Sequence, residues 1–271
     1  MEEKTRQELI VELNKLKKAQ ARIKRKFNFL LSIIAMLVLI TATLAWFTLS
    51  NFASVNEINL KISTAPQLYL DIENRGTDVN QWKKTLTNEM IDTVLTSSGA
   101  KKLADQLLDP VTTSNGINMR NRSGATRNAN EDSFLEFKVW FIATTDMWVH
   151  LSGQTVQVVD HEATTACTTT ETGAKADVIR AVRVSYEDNG SAAIWEPNKG
   201  SAVAGQSTFD VSQGYSNDTR IFHVDKLTPK QITFRIWLEG EDPECDNDVQ
   251  EAQLAIQMLF GGTDDNNSAF E

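Results

Sequence analysis

The stretch FNFLLSIIAMLVLITATLAWFTLS, residues 27–50, constrains this chain more than any other, because from Phe29 to Ser50 it carries no charge and most of its side chains are apolar. A helix of about 20 residues, rising about 1.5 Å per residue, covers the hydrocarbon core of a bilayer, and this run is long enough to do so. Arg22, Lys24, Arg25 and Lys26 stand immediately before it, whereas the next basic residue after it is Lys61. Positive charge is retained on the cytoplasmic side, so the N-terminus is expected inside and residues beyond about 50 outside. A buried soluble helix is a poor alternative, since core helices are rarely apolar on every face and basic at one end. The run ends in Thr43-Leu44-Ala45, with small residues at the two positions a signal peptidase reads, so removal of residues 1–45 and retention as an anchor both stay open.

Charge divides the chain at the same place. Residues 1–26 carry nine Lys/Arg against four Glu, a net of +5, which leaves −14 for the remainder of a chain of formal charge −9. The outer part, residues 51–271, is therefore acidic and excludes nucleic acid and anionic lipid as partners. With 41% hydrophobic residues over 271, it has the length for a sizeable core. The inner segment reads as a cytoplasmic helix opened by a capping box of Thr5 and Glu8. Its Leu9, Leu13, Leu16, Ile23 and Phe27 share one seam broken by Gln20, which suits a short coiled coil, a helix on the inner leaflet or a solvated topogenic helix.

Beyond the membrane the period changes to two. Ile58, Leu60 and Ile62 alternate with polar residues in NEINLKIS, and Leu68, Leu70 and Ile72 repeat the pattern. Residues 77–132 read as an irregular insertion, with one short helix in GAKKLADQLLDP ended by Pro110 and an exposed loop after it. Strand signals return in SFLEFKVWFIAT, DMWVHLSG, VIRAVRVSYED, RIFHVD, QITFRIWLEG and EAQLAIQMLFGG. About eight strands without alternating amphipathic helices predict a mainly β domain, an antiparallel sandwich or jelly roll. Trp140, Trp148, Trp195 and Trp237 sit in or beside these strands, as core or sheet-face packing or as a sugar-stacking surface.

The chemistry-bearing residues are sparse. Cys167 and Cys245 both lie outside the membrane, and an oxidising compartment predicts a single disulfide between them, with two free thiols as the alternative. His150, His161 and His223 are far apart, and His161-Glu162 lacks the second histidine a zinc-protease helix needs. No nucleophile elbow or phosphate-cradling loop is present, so no catalytic residue and no cofactor are assigned. In EGEDPECDND, alternate carboxylates at Asp242, Glu244, Asp246 and Asp248 could face one calcium ion, although the spacing is not that of an EF-hand and a solvated loop explains it better.

The stretch TATLAWFTLSNFASVNEINLKIS resembles the N-terminal region of TasA/camelysin-like exported proteins of Gram-positive bacteria, and RAVRVSYEDNGSAAIWEPN and ITFRIWLEGEDPECDND are similar to segments of other exported proteins of those bacteria. The resemblance implies a jelly-roll domain and processing by a dedicated signal peptidase between Ala45 and Trp46. It further implies export to the cell surface and self-association into biofilm-matrix fibres by donation of an N-terminal strand. That strand would lie within residues 46–63 and would seat Val55, Ile58, Leu60 and Ile62 in a neighbour's groove; the alternative is that residues 55–63 pair within their own domain. The leading expectation is thus a non-enzymatic cell-surface protein, either secreted or held in the membrane. A membrane-anchored metal-dependent hydrolase and a surface binding module are the rivals.

Overall fold

The computed structural model describes residues 17–18, 24, 31–34, 36, 52–63, 67–154, 156–158 and 161–270, with the backbone alone at 156–158 and 161–163. The chain divides into two units, residues 1–50 and 51–271. In the first, Lys17, Lys18, Lys24, Leu31–Ile34 and Met36 are helical, and Leu31, Ile33, Ile34 and Met36 are exposed. Among the described residues no helix is long and apolar enough to cross a membrane. Most of the 27–50 run and of the 1–26 helix, with its Thr5–Glu8 capping box, lies outside the described residues.

The second unit is built from strands. All eight expected segments form them: β1 (Ala53–Ile62), β2 (Leu68–Asp71), β5 (Leu135–Ala143), β6 (Met147–Leu151), β10 (Val182–Asp188), β12 (Phe222–Val224), β13 (Lys230–Leu238) and β14 (Gln253–Thr263). Six shorter ones join them, namely β3 (Thr85–Leu86), β4 (Leu107–Leu108), β7 (Val156–Val158), β8 (His161–Ala163), β9 (Ala166–Thr168) and β11 (Ser191–Trp195). One sheet runs β12-β6-β14-β1-β3, with β4 also on β1 and β9 on β14; the other runs β11-β10-β13-β5-β2 and is antiparallel throughout. The strands β7 and β8 form a separate hairpin.

Alternation drives the two sheets together. Val182, Val184 and Tyr186 of β10 and Ile232, Phe234 and Ile236 of β13 point to one face and are buried against the other sheet. Phe141 of β5 meets Phe260 of β14 edge-on at 5.4 Å and Phe222 of β12 at 4.9 Å, and Tyr186 meets Phe260 at 6.2 Å. Such offset and edge-to-face pairs fix the inter-sheet spacing more tightly than aliphatic contact alone.

Residues 77–132, expected as an irregular insertion, are built into this architecture. The helix anticipated in GAKKLADQLLDP is a correction: the segment instead forms a single 3-10 turn at Leu103–Asp105 followed by β4. The helix lies one segment earlier, in α1 (Asn88–Ser97), because Ile91 and Leu95, four residues apart, present one buried apolar stripe to the core. Leu86, Leu103 and Leu108 enter the same core.

Residues 111–134 fold over the outer face of the antiparallel sheet, where Val111, Met119 and Phe134 enclose Ile194 and Trp237 in a second apolar cluster. The outward-facing Ser185 is buried beneath them and donates to the Gly116 carbonyl at 2.6 Å. Gly116 has φ +71°, and a Cβ there would lie 2.9 Å from Ser185 Cβ and 3.0 Å from Ile194 Cγ1. Gly76, at φ +74°, has open space around its Cβ direction. Gly76→Ala should therefore cost only the left-handed strain, about 1 kcal/mol, whereas Gly116→Ala adds overpacking and should cost about 3 kcal/mol. Urea unfolding of the two variants checks this, and equal losses would contradict the clash.

Candidate functional site

The proposed assembly element is the first strand, and the structure houses it in its own domain. Ala53, Val55, Ile58, Leu60 and Ile62 are all buried in the shared core, the four larger side chains each contributing about 1.5–3 kcal/mol when fully withdrawn from water. On one side β1 runs parallel to β14, from Ser54 opposite Gln253 to Ile62 opposite Phe260, with a bulge between Val55 and Glu57. This parallel pair was not anticipated, since alternation in a sequence specifies which face is buried but not which strand lies alongside. The pairing within its own domain is the alternative set against donation.

The other edge of β1 is closed piecemeal. Leu107 and Leu108 of β4 pair with Ser54 and Ala53, and Thr85 and Leu86 of β3 pair with Lys61 and Leu60. In the interval between them the Ile58 amide donates to the Asn88 side chain of α1 at 2.6 Å. A strand edge that leaves amides unpaired invites another chain, and here three short elements remove the invitation. The processing positions Ala45 and Trp46 lie outside the described residues.

The acidic turn after β13 does not gather its carboxylates at one point. Asp242 Oδ2 accepts from the Arg183 Nη2 of β10 at 2.6 Å, Glu196 Oε1 forms an ion pair with the same nitrogen at 3.0 Å, and all three side chains are buried. Glu196 also accepts from the Gly200 amide at 3.0 Å and the Thr208 hydroxyl at 2.7 Å. Glu244 turns to Ser201, while Asp246 accepts from the Asp248 amide at 2.8 Å. Glu239, fully buried, accepts from Trp237 Nε1 and Gln206 Nε2. Burial raises the Asp242 carboxyl and Arg183 draws it back; the hydrogen bond shared with Asp242 lowers Glu244. Of the four calcium candidates, Asp242 already faces a guanidinium, and among the described residues no three His, Cys, Asp or Glu side chains form a metal-holding group.

The disulfide is a second correction: Cys167 and Cys245 are free thiols and both are buried. Cys167 is not in a loop but in β9, opposite Ile256 of β14, and burial pushes its thiol up to about 12. Cys245 follows the Asp242 turn, where its amide donates to the Asp242 carbonyl, and burial likewise pushes it up to about 12. Thiols so placed are unreactive packing groups.

His223 lies in β12 beside Trp148, and His161 in β8 is described by its backbone. His150 is wholly buried between two hydroxyls, with Nδ1 3.1 Å from Thr219 Oγ1 and Nε2 3.0 Å from Thr263 Oγ1. The Thr219 hydroxyl donates to the Gly214 carbonyl, which leaves it an acceptor for Nδ1–H and makes Nε2 the acceptor of the Thr263 proton. Burial, reinforced by the charge of Arg220, lowers His150 to about 4. Trp195 and Trp237 are core residues, whereas Trp148 carries Arg220 4.6 Å over its ring and donates to Asp265. Arg183, Glu196 and Thr208 escaped the sequence reading; the only signal was an arginine between the two inward valines of β10.

Compared with known proteins, the chain matches no family model, no curated protein and no solved structure.

Two predictions follow from the buried groups. Arg183→Met should cost about 3–5 kcal/mol, because it strands two buried carboxylates, and adding Asp242→Asn and Glu196→Gln should recover part of that loss; urea unfolding reads both. His150 is held neutral to about 4 in the fold but takes up its proton near 6.5 once unfolded. Its contribution is therefore complete above pH 6.5 and is lost as pH falls through 4, up to about 3 kcal/mol. Between pH 7 and 4.5, His150→Gln should lose measurably less stability than the parent chain.

Proposed function

We propose that this chain is an exported cell-surface structural protein, with its basic segment inside, residues 27–50 in the membrane and its β unit outside. The observation that carries this reading is the junction itself. A Lys/Arg cluster abuts an uncharged apolar run, and the first strand of a self-contained β unit begins at Ala53, three residues past the run's end. Helical Leu31, Ile33, Ile34 and Met36 stay exposed, an apolar surface that suits a lipid environment. In this reading the two sheets form a jelly-roll-type sandwich, and a signal peptidase acts at Ala45-Trp46 in the form that is released. The domain serves by holding or joining surfaces and not by catalysis.

Self-association into a fibre follows by exchange of β1. The groove along β14 is filled by the chain's own β1, so a second copy can supply its strand only as the resident one leaves. The contacts made are then the same in kind but between copies, and a head-to-tail arrangement of this sort does not close. The resemblance to TasA/camelysin-like proteins supports the same outcome.

Intact mass of the protein recovered from cells distinguishes an anchor, at full length, from a released form lacking residues 1–45. Protease shaving of intact cells should digest the β unit, and full protection would overturn the topology. For assembly, Asn59→Cys with Gln257→Cys joins facing positions of β1 and β14. The locked chain should remain folded and monomeric where the unlocked, processed chain assembles, and reductant should restore assembly. Unimpaired fibre formation by the locked chain would exclude exchange. Leu60→Asp should unfold the monomer, since Leu60 fills its own core.

A further inference from the structure

The segment 111–130, which roofs the antiparallel sheet, holds Arg120, Arg122 and Arg127 and no acidic residue, in a part of the chain whose net charge is −14. Arg127 pairs with Asp109 at 3.5 Å. Arg120 and Arg122 make no ion pair among the described residues, although carboxylates abound, and both line one cleft of about 390 Å3. A second hollow of about 340 Å3 shares Arg122 and Asn121 with it. The volume falls in the range of ligand clefts, roughly 300–1,000 Å3.

The cleft is preorganised. Arg120 is bridged in backbone pairing to both Thr112 and Thr126, and the Val111 amide donates to the Leu238 carbonyl while its carbonyl accepts from the Gly240 amide, which ties the segment to the end of β13. Arg122 Nε donates to the Gly240 carbonyl at 3.1 Å, which orients its guanidinium plane. Asn115 and Asn121 each use their side-chain oxygen on local backbone amides, at 3.0 Å to Ile117 and 2.9 Å to Ala125. These two residues and Asn118 line the cleft, and Glu241 adds one carboxylate to the lining.

Each part of this lining selects a chemistry. Two planar guanidiniums favour a carboxylate or phosphate, which they can grip in a fork. Amide side chains and one carboxylate favour hydroxyl groups, and Glu241 repels a ligand that is acidic along its whole length. We propose that the cleft binds an anionic saccharide or polyol, one whose acidic groups are spaced by hydroxyl-bearing units. An acidic peptide supplies the charge but not the hydroxyls. The assignment goes beyond the structural role above and holds whether or not residues 1–45 are removed.

The test is calorimetric titration of the full-length chain in a non-ionic detergent with four probes: tetragalacturonate, oligomeric glycerol phosphate, neutral maltotetraose and hexaglutamate. At least one of the first two should bind, carboxylate or phosphate according to which, with affinity that falls as salt rises, and maltotetraose should not. Arg120→Gln makes no side-chain bond to lose and should weaken binding about tenfold or more at unchanged melting temperature; Arg122→Gln should do the same, with some loss of stability through Gly240. Failure of both anions to bind at millimolar concentration overturns the proposal, as does binding indifferent to Arg120→Gln. Hexaglutamate binding as tightly as the hydroxylated anions would show that charge alone is read, and would overturn the saccharide assignment.

Discussion

Everything in the β unit depends on a pairing between its two ends. The first strand lies parallel to the last, and Asn56 of β1 reaches Gln253 of β14 across 197 residues of sequence. Because β14 is flanked on its far side by β6 and β9, removal of β1 exposes the centre of a sheet and not its margin. The apolar residues of β1 then lie over the same aromatic layer that joins the two sheets. A strand so placed is structural first, and any role in joining copies has to begin with its departure from this seat.

The surface of the antiparallel sheet is governed by a different economy. Its outer face carries Arg183, Ser185 and Trp237, residues that a two-layer sandwich would leave in water. The segment 111–134 and the turns after β11 and β13 cover them, so each polar group must find a protein partner. Arg183 finds Asp242 and Glu196, Ser185 finds the Gly116 carbonyl, and Trp237 finds Glu239. The acidic turn is thus largely a set of acceptors for a covered sheet face. The same covering segment turns its other side outward, where its unpaired arginines stand.

The sequence was most legible where structure is local. Period-two alternation located β1, β2, β5, β6, β10, β12, β13 and β14, because facing a core on one side and water on the other leaves that trace in any strand. It missed β11, whose SAAI is short and weakly alternating, and it placed the helix in GAKKLADQLLDP, where Lys, Ala, Gln and Leu have high helix propensity. The helix formed instead in NEMIDTVLTS, a run with more β-branched residues, since the docking of Ile91 and Leu95 outweighs intrinsic preference. What the sequence could not carry was long-range partnership. Asp242 alternates with Glu244 and Asp246 like a calcium loop until an arginine 59 residues earlier is known to face it. Cys167 sits in polar sequence, yet the neighbouring strand buries it.

The parallel pairing of β1 with β14 has a consequence in time. Synthesis runs from the N-terminus, so the strand that fills the centre of one sheet is made first and its partner last. Until Gln253–Thr263 exists, Val55, Ile58, Leu60 and Ile62 have no seat, and β3, β4 and Asn88 have only a lone strand to close upon. Contacts so distant in sequence slow folding, because the long loop must close before they form. The antiparallel sheet, whose β10 and β11 form a tight hairpin and whose β13 follows soon after, can be assembled earlier. During synthesis there is therefore an interval in which every strand of the antiparallel sheet exists while the middle of the other sheet is missing, and β1 spends that interval without its long partner.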